Sequence, residues 1–246
     1  MVFVFDVDGT LTPPRAAMHD EFAATFLKFC TRNAVYLASG SDRFKLEGQI
    51  PTDILASATG LFTCGASVFE AGGRIIYSHD HEFPDELVAW LDQRVGESKY
   101  PSRCGRHIEY RTGQLNMSTI GRSASAAERK AYSVWDQVHG ERTKLCAELM
   151  IAFPEYEAVA GGEISIDISP TGWSKARALI PIQERHGDVA ITFIGDKIKP
   201  GCNDWHLAES LRAASSQHVI VPVRNWLETA EFVRRNLSPL TQSLSA

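Results

Sequence analysis

The chain has no closely spaced cysteine pair. Its five cysteines, Cys30, Cys64, Cys104, Cys146 and Cys202, are dispersed through 246 residues without a C-x-x-C. An odd, scattered set does not describe a disulfide framework and reads as reduced thiols in a cytosolic protein. No stretch approaches the roughly 20 apolar residues needed to span a bilayer, so no membrane partner is expected. Nor is there an excess of positive charge. Lys and Arg total 25 against 30 Asp and Glu, the net charge is −5, and the pI is near 5.9. That balance argues against a nucleic-acid partner. Internal repeats and low-complexity tracts are absent as well. A core strand begins at Val2, which leaves no room for a signal or transit peptide and gives the expectation of a cytoplasmic protein. What remains is 44% hydrophobic and 22% charged, a core-forming composition long enough for one large or two modest domains.

Strands and helices alternate at both ends of the sequence. Residues 2–5 and 34–38 read as buried strands, with helices expected over 19–31 and 43–49. In the first helix Phe22, Phe26 and Phe29 share one face. Toward the other end come a helix over 174–185, a strand over 190–194, a helix over 207–212, a strand over 218–221 and a helix over 225–236. This alternation predicts a parallel sheet with right-handed crossovers. The middle differs. A strand over 74–78 precedes a helix over 86–95. Strands over 107–110 and 115–118 flank Arg111-Thr112-Gly113-Gln114, a hairpin signature. A helix capped by Ser125 runs over 126–139. Three short strands are expected at 150–153, 158–160 and 164–168. The fold expected is therefore α/β with an α+β module inserted at 82–172, leaving 1–81 and 173–246 as the core domain.

Four segments carry chemistry. An apolar strand delivers Asp6-Val7-Asp8-Gly9-Thr10, two carboxylates one residue apart, into a Gly-Thr turn. Open α/β sheets place ligands at such strand ends. One carboxylate can attack phosphorus, and the other can move the proton on the leaving or entering oxygen. Ser39-Gly40-Ser41 ends the second strand, where a hydroxyl and backbone N–H groups can grip phosphate oxygens at a helix start. The spacing leaves open which of Ser39 and Ser41 does so. Lys175, at the start of a helix as the chain re-enters the core, offers a positive charge beside that phosphate. Asp196 and Asp204 follow the 190–194 strand. With Asp6 and the Asp8 main-chain carbonyl they can form an oxygen-only site for Mg²⁺.

These segments, in this order, resemble the haloacid dehalogenase superfamily, whose Rossmann-like core carries a cap inserted between its second and third motifs. The closer resemblance is to the eukaryotic-type phosphomannomutase family. It rests on Phe5-Asp6-Val7-Asp8-Gly9-Thr10-Leu11-Thr12-Pro13-Pro14-Arg15, Ile120-Gly121-Arg122-Ser123 with Glu128-Arg129, Ile164-Ser165-Ile166-Asp167, Gly172-Trp173 with Lys175, and Gly195-Asp196-Lys197 with Asn203-Asp204. It covers nearly the whole chain. Departures exist: Ser39-Gly40-Ser41 replaces Gly-Gly-Ser, and residues 58–66 follow the family only loosely. Ala208, Ser210 and Ala213 stand where the family binds a second, structural cation.

The resemblance implies a phosphomannomutase interconverting mannose 6-phosphate and mannose 1-phosphate through an aspartyl-phosphate and a hexose bisphosphate. It makes Asp6 the nucleophile and Asp8 the general acid/base. Lys175 and Ser39 or Ser41 would stabilise the transferring phosphoryl group. Asp6, Asp8, Asp196 and Asp204 would hold Mg²⁺. Arg111, Arg122 and Arg129 match cap positions that bind the distal phosphate, for which paired guanidinium N–H groups are suited. Ser165 and Asp167 match residues that hold sugar hydroxyls, and Arg15 matches a core arginine near the substrate. A hexose 1,6-bisphosphate activator and a homodimer joined through the cap are also implied. The same core motifs serve sugar-phosphate phosphatases, the alternative reading. A non-catalytic sugar-phosphate-binding protein is a third, against which the intact Asp6/Asp8 pair speaks.

Overall fold

The run Val2-Phe3-Val4-Phe5 becomes a strand buried over its full length, β1 (Val2–Asp6). In the computed structural model, which describes residues 1–237, it is followed by α1 (Asp20–Cys30), β2 (Ala34–Ala38), α2 (Arg43–Glu47), α3 (Thr52–Ser57), β3 (Gly60–Thr63), β4 (Val68–Ala71) and β5 (Arg74–Ser78). A middle set comprises α4 (Asp85–Glu97), β6 (Ile108–Arg111), β7 (Gln114–Met117), α5 (Ala126–His139), α6 (Glu141–Ala152), β8 (Tyr156–Gly161) and β9 (Ser165–Pro170). The chain then runs through a 3-10 turn (Lys175–Ala178), α7 (Leu179–His186), β10 (Ile191–Gly195), α8 (Trp205–Ala214), β11 (Val219–Pro222) and α9 (Trp226–Leu237). Residues 238–246, the end of the expected core segment, lie outside the described residues.

Seven strands form one sheet in the order β11-β10-β1-β2-β3-β4-β5. Pairing is parallel from β11 to β3 and antiparallel through β4 and β5. β1 is buried on both faces. Phe3 and Phe5 point into one apolar layer with Phe22, Phe26 and Phe29 of α1, and Val2 and Val4 point into the opposite layer with Leu179, Leu207 and Leu211. The aromatic layer is edge-to-face, with Phe3–Phe29 centroids 4.8 Å apart and Phe5–Phe26 5.1 Å. Each such buried side chain stabilises by about 1.5–3 kcal/mol. That packing fixes where β1 ends. The register pairs Asp6 with Ala38 and Phe5 with Ile194, so β1, β2 and β10 finish together. The loops that follow them, carrying Asp8, Ser39 to Ser41 and Asp196, emerge at one edge, where the strand order reverses.

A second, antiparallel sheet has the order β6-β7-β9-β8. Side chains alternate across it. Leu115, Met117, Ile166 and Ile168 pack on Leu87 and Leu91 of α4 and on Leu145 and Leu149 of α6. The register sets Glu109 opposite Asn116 and Asn116 opposite Asp167, so these polar residues share the other face. The tip of the β6–β7 hairpin is a tight turn at Gly113, with φ 66°. A Cβ there would lie 2.7 Å from the His79 carbonyl oxygen and 2.7 Å from Ser67 Oγ, so only glycine lets the hairpin pack against the seven-stranded sheet's loops.

Three expectations need correction. Residues 150–153 are not a strand, because Met150 to Ala152 form the last turn of α6. The short apolar run mimics a strand, but the buried stripe Leu145, Cys146 and Leu149 is helical, and Pro154 forces Phe153 out of the helix. The turn of the β6–β7 hairpin is shorter than expected, so Arg111 and Gln114 belong to the strands. Lys175 opens a 3-10 turn rather than an α-helix. Two further strands, β3 and β4, lie where the sequence pattern predicts none.

Candidate active site

Asp6 is buried at the end of β1. Its Oδ1 accepts a hydrogen bond from Lys175 Nζ at 2.5 Å, and Lys175 Nζ also donates to Asp204 Oδ1 at 2.6 Å. Lys175 is therefore no surface lysine, being buried with both carboxylates. Desolvation would lower its pKa, but Asp204 and Asp6 outweigh that and the net shift is upward. Asp196 completes the group: ligand oxygens of Asp6, Asp196 and Asp204 all lie within 4.8 Å of one another. Gly9, with φ 94°, makes room for Asp196, whose Oδ2 would be 2.5 Å from a Cβ there. Burial, then the neighbouring Asp204, raises the Asp6 pKa to about 8 despite Lys175. Burial likewise raises Asp196 to about 6.

Three carboxylates against one ammonium leave negative charge uncompensated. Asp6 Oδ2 is buried with no hydrogen-bond partner, as is Oδ1 of Asn203, the residue before Asp204. An all-oxygen donor set with an orphaned buried carboxylate oxygen fits a hard divalent cation such as Mg²⁺. Asp6, Asp196 and Asp204 are the side chains that would hold it.

The Asp8 carboxylate turns away from this cluster. Its Oδ1 accepts from Arg15 N at 2.8 Å and Gln49 Nε2 at 2.9 Å, and its Oδ2 from Ser41 Oγ and Lys45 Nζ, both at 3.4 Å. Any part for Asp8 in holding a cation therefore falls to its main-chain carbonyl. Burial pushes its pKa up, but the Lys45 charge and these hydrogen bonds prevail, and the net shift is downward. Lys45 also donates to Ser41 Oγ at 2.7 Å, while Ser39 Oγ accepts from Ser41 N. Ser39 and Ser41 both line the cavity above Asp6 and Asp8.

The facing wall comes from the second sheet and from α5, which carries Arg129. Arg111, Asn116, Arg129, Ser165 and Asp167 line the same cavity, with Arg15 and Lys197 from the core side. Arg111 Nη1 reaches across to the Gly40 carbonyl at 2.9 Å. Arg129 is braced by Nε to the Ala124 carbonyl. Arg122 sits just behind the wall, its Nη1 donating to Ser165 Oγ at 3.0 Å. Arg15 has φ 60° and no side-chain acceptor among the described residues. Burial, then Arg122 and Arg129, lowers its pKa to about 10. Excess positive charge thus faces the acidic cluster across one cavity.

Of the residues expected at the site, Asp6, Asp8, Arg15, Ser39, Ser41, Arg111, Arg129, Ser165 and Asp167 line this cavity; Lys175, Asp196 and Asp204 gather on Asp6 beneath it, and Arg122 lies behind its far wall. Lys45, Gln49 and Glu109 were not expected. Lys45 lies in α2, and Ser41 and Gln49 lie just before and just after it, so one short helix with its two flanks brings all three to Asp8; their spacing of four residues is the signal the sequence offers.

An α/β fold with carboxylates at the β1 end and a second sheet above it is a fold shared with haloacid dehalogenase-like structures. Solved structures agree on the fold. The C-terminal domain of Candida albicans trehalose-6-phosphate phosphatase superposes with a TM-score of 0.65 at 17% identity, covering 94% of this chain and 90% of that one. A haloacid dehalogenase-like hydrolase from Bacteroides thetaiotaomicron gives 0.57 at 14% identity, covering 96% and 99%. Within that class the chain belongs to the eukaryotic phosphomannomutase family, whose profile matches residues 22–230. It is 32% identical over 212 residues to phosphomannomutase of Saccharomyces cerevisiae, 83% of each chain. To that of Drosophila melanogaster it is 31% identical over 225 residues, 87% of this chain and 89% of the other.

Proposed function

We propose that the chain is a phosphomannomutase that uses Mg²⁺ and interconverts mannose 6-phosphate and mannose 1-phosphate. The observation that carries this reading is the opposition of an acidic nucleophile site and an arginine-lined wall in one cavity. A hexose bisphosphate has two phosphates, and each wall suits one of them.

The cycle starts with Asp6 carrying a phosphoryl group. The free hydroxyl of the hexose monophosphate attacks that phosphorus, Asp8 takes the hydroxyl's proton, and the bond to the Asp6 carboxylate breaks, leaving a hexose bisphosphate. The bisphosphate turns end for end, and Asp6 attacks the phosphorus of its other phosphate. A new P–O bond forms to the carboxylate, the bond to the sugar oxygen breaks, and Asp8 gives that oxygen the proton it took. Lys175 and Ser39 or Ser41 hold the phosphoryl oxygens, while Arg111, Arg122 and Arg129 hold the phosphate that is not reacting. Ser165 and Asp167 take sugar hydroxyls, and Arg15 bridges between the walls. Bound Mg²⁺ would shield the nucleophile from the charge of the phosphate. The Arg111–Gly40 contact supports a closed site that excludes water, as transfer without hydrolysis requires.

In this reading residues 1–81 and 173–246 form the core, 82–172 the cap, and the enzyme is a cytoplasmic homodimer joined through the cap and activated by a hexose 1,6-bisphosphate. The five free thiols support that compartment. Among the described residues no helix is long and apolar enough to cross a membrane. The test is a product analysis with mannose 1-phosphate and a hexose 1,6-bisphosphate. Mannose 6-phosphate is expected to accumulate. Release of inorganic phosphate as the main product overturns the mutase reading in favour of a sugar-phosphate phosphatase.

A further inference from the structure

Glu109 stands between two of the arginines. Its Oε1 accepts from Arg111 Nε at 3.0 Å and its Oε2 from Arg122 Nε at 2.8 Å. The two arginines are far apart in sequence but converge here, because β6 sets Glu109 and Arg111 two residues apart on one face and the loop after β7 brings Arg122 alongside. The arginine side chains are only 5% and 11% exposed and that of Glu109 20%, so solvent does little to screen the repulsion between the two cations. Glu109 is the carboxylate that bridges both, while Asp167 lies 3.7 Å from Arg111 Nη1 alone.

The atoms used matter more than the charge. Binding through Nε occupies the inner edge of each guanidinium and leaves the outer end for other work. Arg111 Nη1 goes to the Gly40 carbonyl and Arg122 Nη1 to Ser165 Oγ, and neither Nη2 has an acceptor among the described residues. Both free groups are held in one orientation by a shared acid, next to Arg15 and Arg129, which add positive charge without adding an acid. A tetrahedral dianion with several acceptor oxygens is the ligand such a set of donors fits.

We propose that Glu109 is a positioning residue that fixes the spacing and direction of Arg111 and Arg122 for a single phosphate monoester group on the sugar. This rests on the reading of these arginines as the distal-phosphate site. Glu109 touches no reacting atom. Its loss should therefore weaken recognition of a sugar bearing that phosphate, and should affect far less the turnover of a phosphate ester lacking one.

The experiment compares E109A, E109Q and R122A on mannose 1-phosphate, with hexose 1,6-bisphosphate present, and on an aryl phosphate. A charge-assisted hydrogen bond typically contributes enough for about a 10- to 100-fold effect. E109A is expected to raise KM for the sugar phosphate by about that factor, with a much smaller change for the aryl phosphate. E109Q keeps one acceptor oxygen but turns a donor toward the second arginine, so a smaller rise in KM is expected. If E109A does not fold, E109Q alone decides. An unchanged sugar-phosphate KM in the folded Glu109 variants, with R122A impaired, overturns the positioning role and leaves the distal-phosphate site standing. If R122A loses equally on both substrates, the distal-phosphate reading itself fails, and Glu109 with it.

Discussion

The two walls of the cavity are built to one plan with the signs exchanged. On the core side a single ammonium, Lys175, spans two carboxylates of the acidic cluster. On the cap side a single carboxylate, Glu109, spans two guanidinium groups. In each case one counter-charge bridges two like charges in a dry place, joined on the arginine side by Asp167 beside Arg111, and in each case charge is left over. The surplus is negative where a cation would sit and positive where a phosphate would sit. Ligand preference at both ends thus follows from incomplete neutralisation rather than from any one residue.

The largest expected effect separates the walls completely. D6N should reduce kcat by at least about 10⁴-fold on sugar and aryl phosphates alike, because it removes the attacking group and leaves the cap wall intact. Steady-state assays on both substrates check this, and retained phosphoryl transfer contradicts it. Next, a chelator should abolish turnover and added Mg²⁺ restore it, while the chain stays folded by circular dichroism. Loss of turnover that Mg²⁺ does not reverse would disconnect the acidic cluster from metal binding.

Third, K175M should destabilise the core by about 3–5 kcal/mol in chelator, since it strands buried carboxylates without their partner. Mg²⁺ should narrow that gap, as it supplies positive charge to the same cluster. Denaturant melts with and without the ion measure both. The smallest effect is on pH. The two arginines beside Glu109 overcome its desolvation and hold its pKa below the usual 4.5. A depressed folded pKa contributes stability above the unfolded value and loses it as pH falls through the folded one. The difference in melting temperature between wild type and E109Q should therefore be largest near neutrality and shrink below about pH 4.3. A difference that grows in acid would reverse the sign assigned to this bridge.

The core wall was far more legible in the sequence than the cap wall. Asp6, Lys175, Asp196 and the 39–41 loop follow directly from strand ends, and strand ends are announced by apolar runs and glycine turns. Asp8 was legible, but not the side chains that hold it, because Lys45 reaches it from α2 and Gln49 from the turn after α2, and the direction of both depends on packing. In the cap, Glu109 reads as an ordinary strand acid until Arg122, 13 residues on, is folded beside it. The run at 150–153 shows the same limit: only the burial of Leu145 and Leu149 distinguishes its helix from a strand.

The hydrogen bond from Arg111 to the Gly40 carbonyl ties the 39–41 loop to the second sheet. In the proposed mechanism, a sugar leaving the cavity breaks a link that also steadies the place of phosphoryl transfer. Dissociation and chemistry are consequently not independent events. An intermediate still awaiting its second transfer is retained by the contact that its escape would sever, which favours completing the turn over losing the half-converted sugar to bulk water.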